Sequence, residues 1–322
     1  MTASATIDIA EVADPAPAPH EVVVQVAATG ICGTDLHVLR GELGPRPVIP
    51  GHELSGTVVA VGGEVRAVHL GDRVSVDPNL PCGACALCRR GRPNLCPQLG
   101  ALGITAPGAA AELVAAPAAN CVRVPSNVEI ESAALIEPLS CAVHGFDVLQ
   151  TRLASTVLIY GAGTMGLLML ELAKHHGAAA VDVVETMPDR RSRAATFGCS
   201  SVGATADEMD RAGWDVVIDA TGNASAIQAG LGWVAPGGTF LQFGVAAPNA
   251  RVTISPYDIY RREITISGSI AVLHSFERAA ALFAAAVIDP TKFITGRFAL
   301  ERYGDALDEF RAGHGLKTLV TP

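Results

Sequence analysis

The sequence at residues 155–177 reads STVLIYGAGTMGLLMLELAKHHG, and this stretch decides how the second half of the chain folds. The run VLIY, of aliphatic and aromatic residues, predicts a buried strand, the glycines after it predict a tight turn, and the apolar residues at helical spacing predict a helix. The runs VDVVE, WDVVIDATG, TFLQFGV and ITISGSI follow, separated by a helix or a loop. Strands that are apolar throughout and alternate with helices predict an α/β domain whose parallel sheet is covered on both faces.

The glycine turn between that strand and helix has the spacing G-x-G-x-x-G, and Glu185 ends the next strand nineteen residues after Gly166. Glycines at these positions allow a tight turn and let the backbone approach a pyrophosphate, which the N-terminus of the helix attracts. The context therefore predicts a doubly wound dinucleotide-binding domain. We expect the cofactor to contact the turn and two residues beyond it: Gly161, Gly163, Thr164, Met165, Gly166, Glu185 and Arg190.

The choice between NAD and NADP depends on two opposing signals that follow the second strand. A carboxylate at Glu185 would hydrogen-bond the ribose hydroxyls of the cofactor and repel a 2′-phosphate. Arg190 and Arg191, in the next turn, would attract a phosphate. We expect NAD, with NADP as the alternative.

The composition narrows the class of protein and its partners. At 322 residues the chain exceeds what one core usually holds, so two domains are expected. A net charge of −9 and a pI near 5.4 argue against a nucleic-acid partner. The chain shows neither a signal-peptide pattern nor a run of about 20 apolar residues that would span a membrane. We therefore expect a cytoplasmic protein with no membrane partner, whose reduced cysteines serve as metal ligands or catalysts.

Residues 82–96 read CGACALCRRGRPNLC, which places four cysteines around a short basic turn in a C-x2-C-x2-C-x7-C pattern. The alternatives are a disulfide staple, a redox dithiol, a nucleic-acid-binding zinc knuckle and a structural metal site. A reducing compartment disfavours disulfides, and the acidic chain disfavours nucleic acid. Four thiolates would close a tetrahedral shell with no open position, which is typical of a structural zinc. The predicted ligands are Cys82, Cys85, Cys88 and Cys96.

Further stretches that stand out are GICGTDLH (30–37), PGHE (50–53), IEPLSCAVHG (136–145) and GLKTLV (315–320). With the cysteine lobe and the glycine turn, they make the chain resemble the zinc-dependent medium-chain dehydrogenase/reductase family over nearly its whole length, most closely the sorbitol or polyol dehydrogenase branch. The resemblance implies a GroES-like, mostly-β catalytic domain of residues 1–128 and 272–322, which carries the structural zinc lobe at 82–96. It implies a Rossmann NAD-binding domain of residues 129–271, and a homodimer or homotetramer.

The resemblance also implies a catalytic zinc and its surroundings. Cys32, His52 and Glu137 are the implied zinc ligands, and Glu53 lies beside the metal and can substitute as a ligand. Asp35 is expected to orient the zinc-bound His52, a role that metal-bound imidazoles generally require.

The activity implied by the resemblance is the interconversion of a secondary alcohol, of polyol or cyclitol type, and its ketone by hydride transfer to NAD. Zinc with an open position would bind the substrate hydroxyl and lower its pKa. Thr34 would take the hydroxyl proton and pass it through the cofactor ribose to His37, which would release it to solvent.

The substrate pocket departs from the pattern of polyol enzymes. After Gly268 those enzymes often carry an aromatic residue and an arginine, and here the chain reads Ser269-Ile270-Ala271. We expect a roomier and less cationic pocket. An NADP-dependent carbonyl or aldehyde reductase of the same fold is the alternative, and a zinc-knuckle module that binds nucleic acid or protein is a remote one.

Overall fold

The computed structural model describes residues 1–2, 5–149 and 151–322. Its strands are β1 (Glu21–Gly30), β2 (Glu53–Val61), β3 (Arg73–Val76), β4 (Asn79–Leu80), β5 (Gly100–Ala101), β6 (Leu113–Pro117), β7 (Cys121–Arg123), β8 (Thr156–Tyr160), β9 (Ala180–Val184), β10 (Ser201–Gly203), β11 (Trp214–Asp219), β12 (Val234–Gln242), β13 (Thr265–Gly268), β14 (Ile294–Ala299) and β15 (Lys317–Thr321). Its α-helices are α1 (Gly33–Arg40), α2 (Ala86–Arg89), α3 (Ile136–Leu149), α4 (Thr164–His175), α5 (Pro188–Thr196), α6 (Ala224–Gly232), α7 (Pro256–Arg262), α8 (Phe276–Ala284), α9 (Pro290–Phe293) and α10 (Tyr303–Ala312). Within these described ranges, none of the helices combines the length and the apolar composition that crossing a bilayer requires.

The described residues form two compact units, a first of Met1–Ser140 with Val272–Pro322 and a second of Cys141–Ala271. The resemblance implies that residues 129–140 belong to the Rossmann domain, whereas in the structure they belong to the first unit. Packing is the physical reason. A 3-10 turn over Glu131–Leu135 buries its side chains against β1 and β2, and Ser55 Oγ of β2 donates to the Ile130 carbonyl at 2.5 Å.

The first unit is built on a sheet with the strand order β14-β15-β1-β2-β3-β7, and β6 also pairs with β1. Valines and leucines of β1, β2 and β3 form its apolar core. The register pairs Gly30, at the end of β1, with Glu53 at the start of β2 and with Leu319 of β15. The residues that follow β1, precede β2 and begin β15 are therefore brought to one place.

The second unit is a parallel sheet in the order β10-β9-β8-β11-β12-β13. Counted from β8, this is the order 3-2-1-4-5-6 of dinucleotide-binding folds. The direction of winding reverses between β8 and β11, and the glycine turn follows β8 at this switch point, where such sheets bind their ligands. The predicted doubly wound parallel sheet is confirmed.

Candidate active site and metal centres

Cys32 lies at the junction between β1 and α1, where it is the N-cap residue of the helix. Its sulfur accepts a hydrogen bond from the backbone N–H of Asp35, and the Asp35 carboxylate accepts one from Cys32 N at 2.9 Å. This reciprocal capping box satisfies two N–H groups that a helix start otherwise leaves unpaired. The local sequence CGTD therefore holds the thiol and the carboxylate in a defined geometry.

His52 and Glu53 enter the same site from the start of β2, because the register sets Glu53 opposite Gly30. The ligating atoms of Cys32, His52 and Glu53 all lie within 4.8 Å of one another, and His52 and Glu53 are buried. A side chain at position 30 would place its Cβ 2.0 Å from Glu53 Oε2, so Gly30 leaves room for that carboxylate. Thiol, imidazole and carboxylate are together a donor set that zinc accepts.

The Asp35 carboxylate faces the His52 ring, and neither group reaches solvent. Asp35 Oδ1 lies 3.7 Å from His52 Nδ1. This orientation leaves Nε2 as the nitrogen available to a metal. Burial alone would lower the pKa of His52, but the nearby charges of Asp35 and Cys32 raise it well above its usual range. The surroundings of the imidazole thus carry the negative charge that a bound cation would neutralise.

Lys317, the first residue of β15, supplies a buried cation to this site. Its Nζ donates to both carboxylate oxygens of Glu53 at 2.6 Å and to the Ile31 carbonyl at 3.1 Å. Lys317 and Glu53 are 3% and 1% exposed. Burial lowers the pKa of Lys317, yet the charges of Glu53, Cys32 and Glu137 raise it overall. No role for Lys317 follows from the motif GLKTLV alone, but a single charged residue in the buried strand KTLVT is a signal that could have found it.

Glu137 lies in the first turn of α3 and is 8% exposed. Its charge acts on Lys317, so it belongs to the same electrostatic environment. It is not in the tight group formed by Cys32, His52 and Glu53. The structure therefore brings the expected substitute ligand, rather than the expected third ligand, closest to the thiol and the imidazole.

Thr34 and His37 lie one helical turn apart on α1, on neighbouring positions of its surface. The Cys32 thiol donates to Thr34 Oγ1 over 3.8 Å, so the hydroxyl is beside the candidate metal ligands. The side chain of His37 is 48% exposed, and its Nδ1 lies 2.6 Å from Glu42 Oε2. One of the two residues is thus at the site and the other is at the surface.

The four cysteines of the 82–96 lobe converge, with all four sulfurs within 4.8 Å of one another. The sulfurs of Cys85 and Cys96 are 4.0 Å apart, close to the roughly 3.8 Å that a tetrahedral zinc with four thiolates requires. Backbone N–H groups of Ala84 and Cys85 lower the pKa of Cys82 to about 6, which favours a thiolate. Burial raises the pKa of Cys88 to about 12, so its thiolate form needs a nearby cation to stabilise it. The eight cysteines of the chain are all free thiols.

The glycine turn is shaped by close backbone contacts. Gly161 has a φ of 102°, and a Cβ on Gly166 would lie 1.9 Å from the Gly161 carbonyl oxygen, so both positions require glycine. Gly163 is the N-cap residue of α4 and nothing lies within 4 Å of its Cβ direction. Thr164 and Met165 follow as the first residues of α4. Open space above a helix N-terminus suits an anionic ligand.

Glu185 is tied to this turn by its side chain. Its Oε2 accepts from the backbone N–H of Ala162 at 2.9 Å, and its Oε1 accepts from Met187 N at 2.9 Å. Arg191 donates to the backbone carbonyls of Glu185 and Thr186. Arg190 is half-buried in α5. Of the two arginines that would attract a phosphate, Arg191 thus already donates hydrogen bonds to backbone carbonyl groups.

Comparison with known proteins agrees with both units. Residues 18–126 match the family described as the alcohol dehydrogenase GroES-like domain, and residues 164–285 match the family described as zinc-binding dehydrogenase. D-arabinitol dehydrogenase 1 from Uromyces fabae is 37% identical over 315 residues, which cover 94% of this chain and 90% of the relative. D-altritol 5-dehydrogenase from Agrobacterium fabrum is 39% identical over 272 residues, which cover 82% and 81%.

A solved structure gives the same result in three dimensions. A protein from Sinorhizobium meliloti 1021, described as a zinc-binding dehydrogenase and bound to NADP, is 34% identical with a TM-score of 0.95. The superposition covers 99% of this chain and 97% of that one.

Fold and donor groups together define a zinc-binding dehydrogenase. The chain belongs to the zinc-dependent medium-chain dehydrogenase/reductase family, which comprises alcohol and polyol dehydrogenases. The predicted combination of a GroES-like, mostly-β domain with a Rossmann domain is confirmed, as is the predicted class of enzyme.

Replacing Lys317 by Met tests the buried ion pair. The substitution leaves the Glu53 carboxylate buried without its cation, so we expect the free energy of unfolding of the zinc-free protein to fall by about 3 kcal/mol. Urea denaturation measures this change, with circular dichroism as the signal. Tryptophan fluorescence would report on the second unit, because both tryptophans, Trp214 and Trp233, lie there. The control is Lys292→Met at an exposed lysine, expected to change stability by no more than about 0.5 kcal/mol. Equal stability of Lys317→Met and the control would contradict the assigned role.

Proposed function

We propose that this dehydrogenase interconverts a secondary alcohol of polyol or cyclitol type and its ketone, with NAD as the hydride acceptor. The observation that carries the proposal is the group formed by the half-buried thiol of Cys32 with the buried imidazole of His52 and carboxylate of Glu53, whose ligating atoms lie within 4.8 Å of one another. A thiol, an imidazole and one carboxylate, from either Glu137 or Glu53, leave zinc a further position for a substrate oxygen. The relatives named for D-arabinitol and D-altritol support a polyol as substrate.

Zinc held by these residues would supply a Lewis acid that lowers the pKa of the alcohol, and NAD would accept the hydride. The residues of the chain would hold the ligands and move the proton. The 3.8 Å contact between Thr34 Oγ1 and Cys32 Sγ supports Thr34 as the first acceptor of the substrate proton. The exposure of His37, one turn further along α1, supports it as the group that releases that proton to solvent.

Among the carboxylates, we propose Glu137 as the third protein ligand and Glu53 as its substitute. Support comes from Lys317, which donates to both oxygens of Glu53. To bind a metal, Glu53 would have to leave or share a buried ion pair, which is costly. The charge of Glu137 acts on Lys317, so Glu137 shares the same electrostatic environment.

The pocket sequence Ser269-Ile270-Ala271 supports a bulkier or cyclic secondary alcohol, since it lacks the arginine and the aromatic ring of polyol enzymes. The second candidate is an NADP-dependent carbonyl or aldehyde reductase. Its support is the NADP bound to the similar protein from Sinorhizobium meliloti 1021. The carboxylate of Glu185 at the glycine turn supports NAD instead.

We also propose a cytoplasmic homodimer or homotetramer. β13 is the edge strand of the second unit, and Ile266 on it is exposed, as are Ile270, Tyr257 and Tyr260 nearby in sequence. An apolar sheet edge left uncovered favours association. Light scattering of the zinc-loaded protein would measure the oligomeric state, and a monomer would exclude both oligomers.

Metal analysis and a substrate panel test the proposed activity. We expect zinc in both ligand groups, and chelator-sensitive NADH formation with at least one polyol or cyclitol. Cys32→Ser should empty one group and abolish turnover while NAD binding persists, because the glycine turn is in the other unit. Cys199→Ser, a cysteine outside both groups, should behave as wild type. Absence of zinc, or full activity of Cys32→Ser, would refute the assignment.

Replacing Cys85 by Ala tests the structural role of the lobe. Three thiolates would hold zinc less well than four, so we expect a lower melting temperature or loss of assembly. The folded fraction should retain the kcat of wild type. Cys121→Ala, at a cysteine outside the lobe, serves as the matched control. A Cys85→Ala protein that stays folded and assembled but loses only the chemical step would show that the lobe is catalytic.

Replacing Glu185 by Gln tests the cofactor preference. The amide retains an oxygen that can accept from Ala162 N but removes the charge that repels a 2′-phosphate. We expect the ratio of kcat/KM with NAD to kcat/KM with NADP to fall about tenfold, in line with the strength of a hydrogen bond to a charged group. Glu208→Gln, at an exposed carboxylate of the same unit, is the control. Wild-type preference for NADP would favour the reductase alternative.

A further inference from the structure

Tyr303, the first residue of α10, is a buried tyrosine for which the sequence patterns indicate no role. Its side chain is 2% exposed and packs in an apolar cluster with Ile31, Val38 and Leu307. Ile31 directly precedes the candidate ligand Cys32. A C-terminal helix thus places a phenol against the segment that carries the metal site.

The hydroxyl of Tyr303 is buried in the neighbourhood of the Asp35 carboxylate, whose charge acts on it. Burial raises the pKa of Tyr303 well above its usual range, and the charge of Asp35 adds to the effect. A tyrosine hydroxyl has an ordinary pKa of about 10, so it is protonated at neutral pH and acts as a donor toward a carboxylate.

Three buried polar atoms meet at this point. Asp35 Oδ1, His52 Nδ1 and the Tyr303 hydroxyl are all inaccessible to solvent, and none has a partner within normal hydrogen-bond distance among the described residues. The other oxygen of Asp35 is engaged by Cys32 N, while Oδ1 is 3.7 Å from the His52 ring. Buried polar groups are nearly always hydrogen-bonded. A phenol hydroxyl and an imidazole N–H are both donors, and a carboxylate oxygen is an acceptor that can satisfy them.

We propose that Tyr303 is a positioning residue for the metal site: its hydroxyl donates to Asp35 Oδ1, and the carboxylate so held orients His52. One carboxylate oxygen can accept two hydrogen bonds, so the phenol and the imidazole N–H do not compete for it. This chain of hydrogen bonds from Tyr303 through Asp35 to His52 would hold the imidazole ring with Nε2 toward the metal. The inference rests on the proposed zinc site.

Simple packing gives the opposite expectation for the hydroxyl. If the ring only filled the apolar cluster, its buried hydroxyl would be an unpaired group that lowers the stability of the protein. Phenylalanine at position 303 would then fit the cluster and leave metal binding unchanged. The two roles are therefore separable by a substitution that removes a single oxygen atom.

The test measures zinc release from the Tyr303→Phe protein to a chromophoric chelator. The release phase that Cys32→Ser lacks identifies the Cys32 site, and the phase from the cysteine lobe is an internal reference. We expect release from the Cys32 site to be at least about tenfold faster than in wild type, since groups behind a metal-bound histidine contribute about 10–100-fold to affinity. Release from the lobe should not change.

Two further variants separate positioning from folding. Leu307→Ala removes an apolar side chain from the same helix and cluster, so it should lower the melting temperature without changing zinc release. In an Asp35→Ala background, Tyr303→Phe should have no additional effect on release, because the carboxylate through which it acts is gone.

The outcomes are distinct. Wild-type zinc release from Tyr303→Phe, or a full tenfold effect that persists without Asp35, would overturn the inference and leave the proposed function intact. If wild type binds zinc only in the cysteine lobe, the proposed function fails and the inference fails with it.

Discussion

The buried ion pair between Lys317 and Glu53 is the interaction on which the chemistry of the first unit depends. It joins two residues 264 positions apart, through hydrogen bonds of 2.6 Å to both carboxylate oxygens. Either charge alone would be unstable in the interior. The strands β2 and β15 must therefore be aligned so that Glu53 and Lys317 meet. The Lys317 ammonium is compatible with a metal cation nearby, because the negative charges of Cys32, Glu53 and Glu137 act on it.

The two candidate metal centres are assembled in different ways. The four sulfurs of the lobe come from residues 82–96, and backbone N–H groups of the same turns stabilise them. Such a centre can form from local structure alone. The other centre takes a thiol from a helix cap, an imidazole from the start of β2 and its surrounding groups from β15 and α10. Because these elements are distant in sequence, this centre forms only when the whole unit folds.

Much of the fold could be predicted because its signals are local. The glycine turn needs glycine at Gly161 and Gly166 for steric reasons that operate within a few residues. Alternating strands and helices indicate the parallel sheet for the same reason. The assignment of residues 129–140 to the second unit differs from the structure, since helical periodicity does not reveal that Leu135 and its neighbours bury against β1 and β2. β14 likewise depends on a partner, β15, rather than on its own pattern.

By itself, the sequence determined the family, the fold class, the cofactor turn, the closed cysteine group and the pairing of Cys32 with His52 as candidate ligands. Residue type and spacing suffice for these features, because each is encoded in short segments. Only the tertiary structure decided which groups stand behind those ligands. Lys317 and Tyr303 come from the far end of the chain, and the register of β1, β2 and β15 brings Lys317 to the site. A buried charge or hydroxyl without a polar partner is unstable, and the partner usually comes from a distant part of the chain. The polar contacts of Lys317 and Tyr303 therefore depend on the tertiary structure.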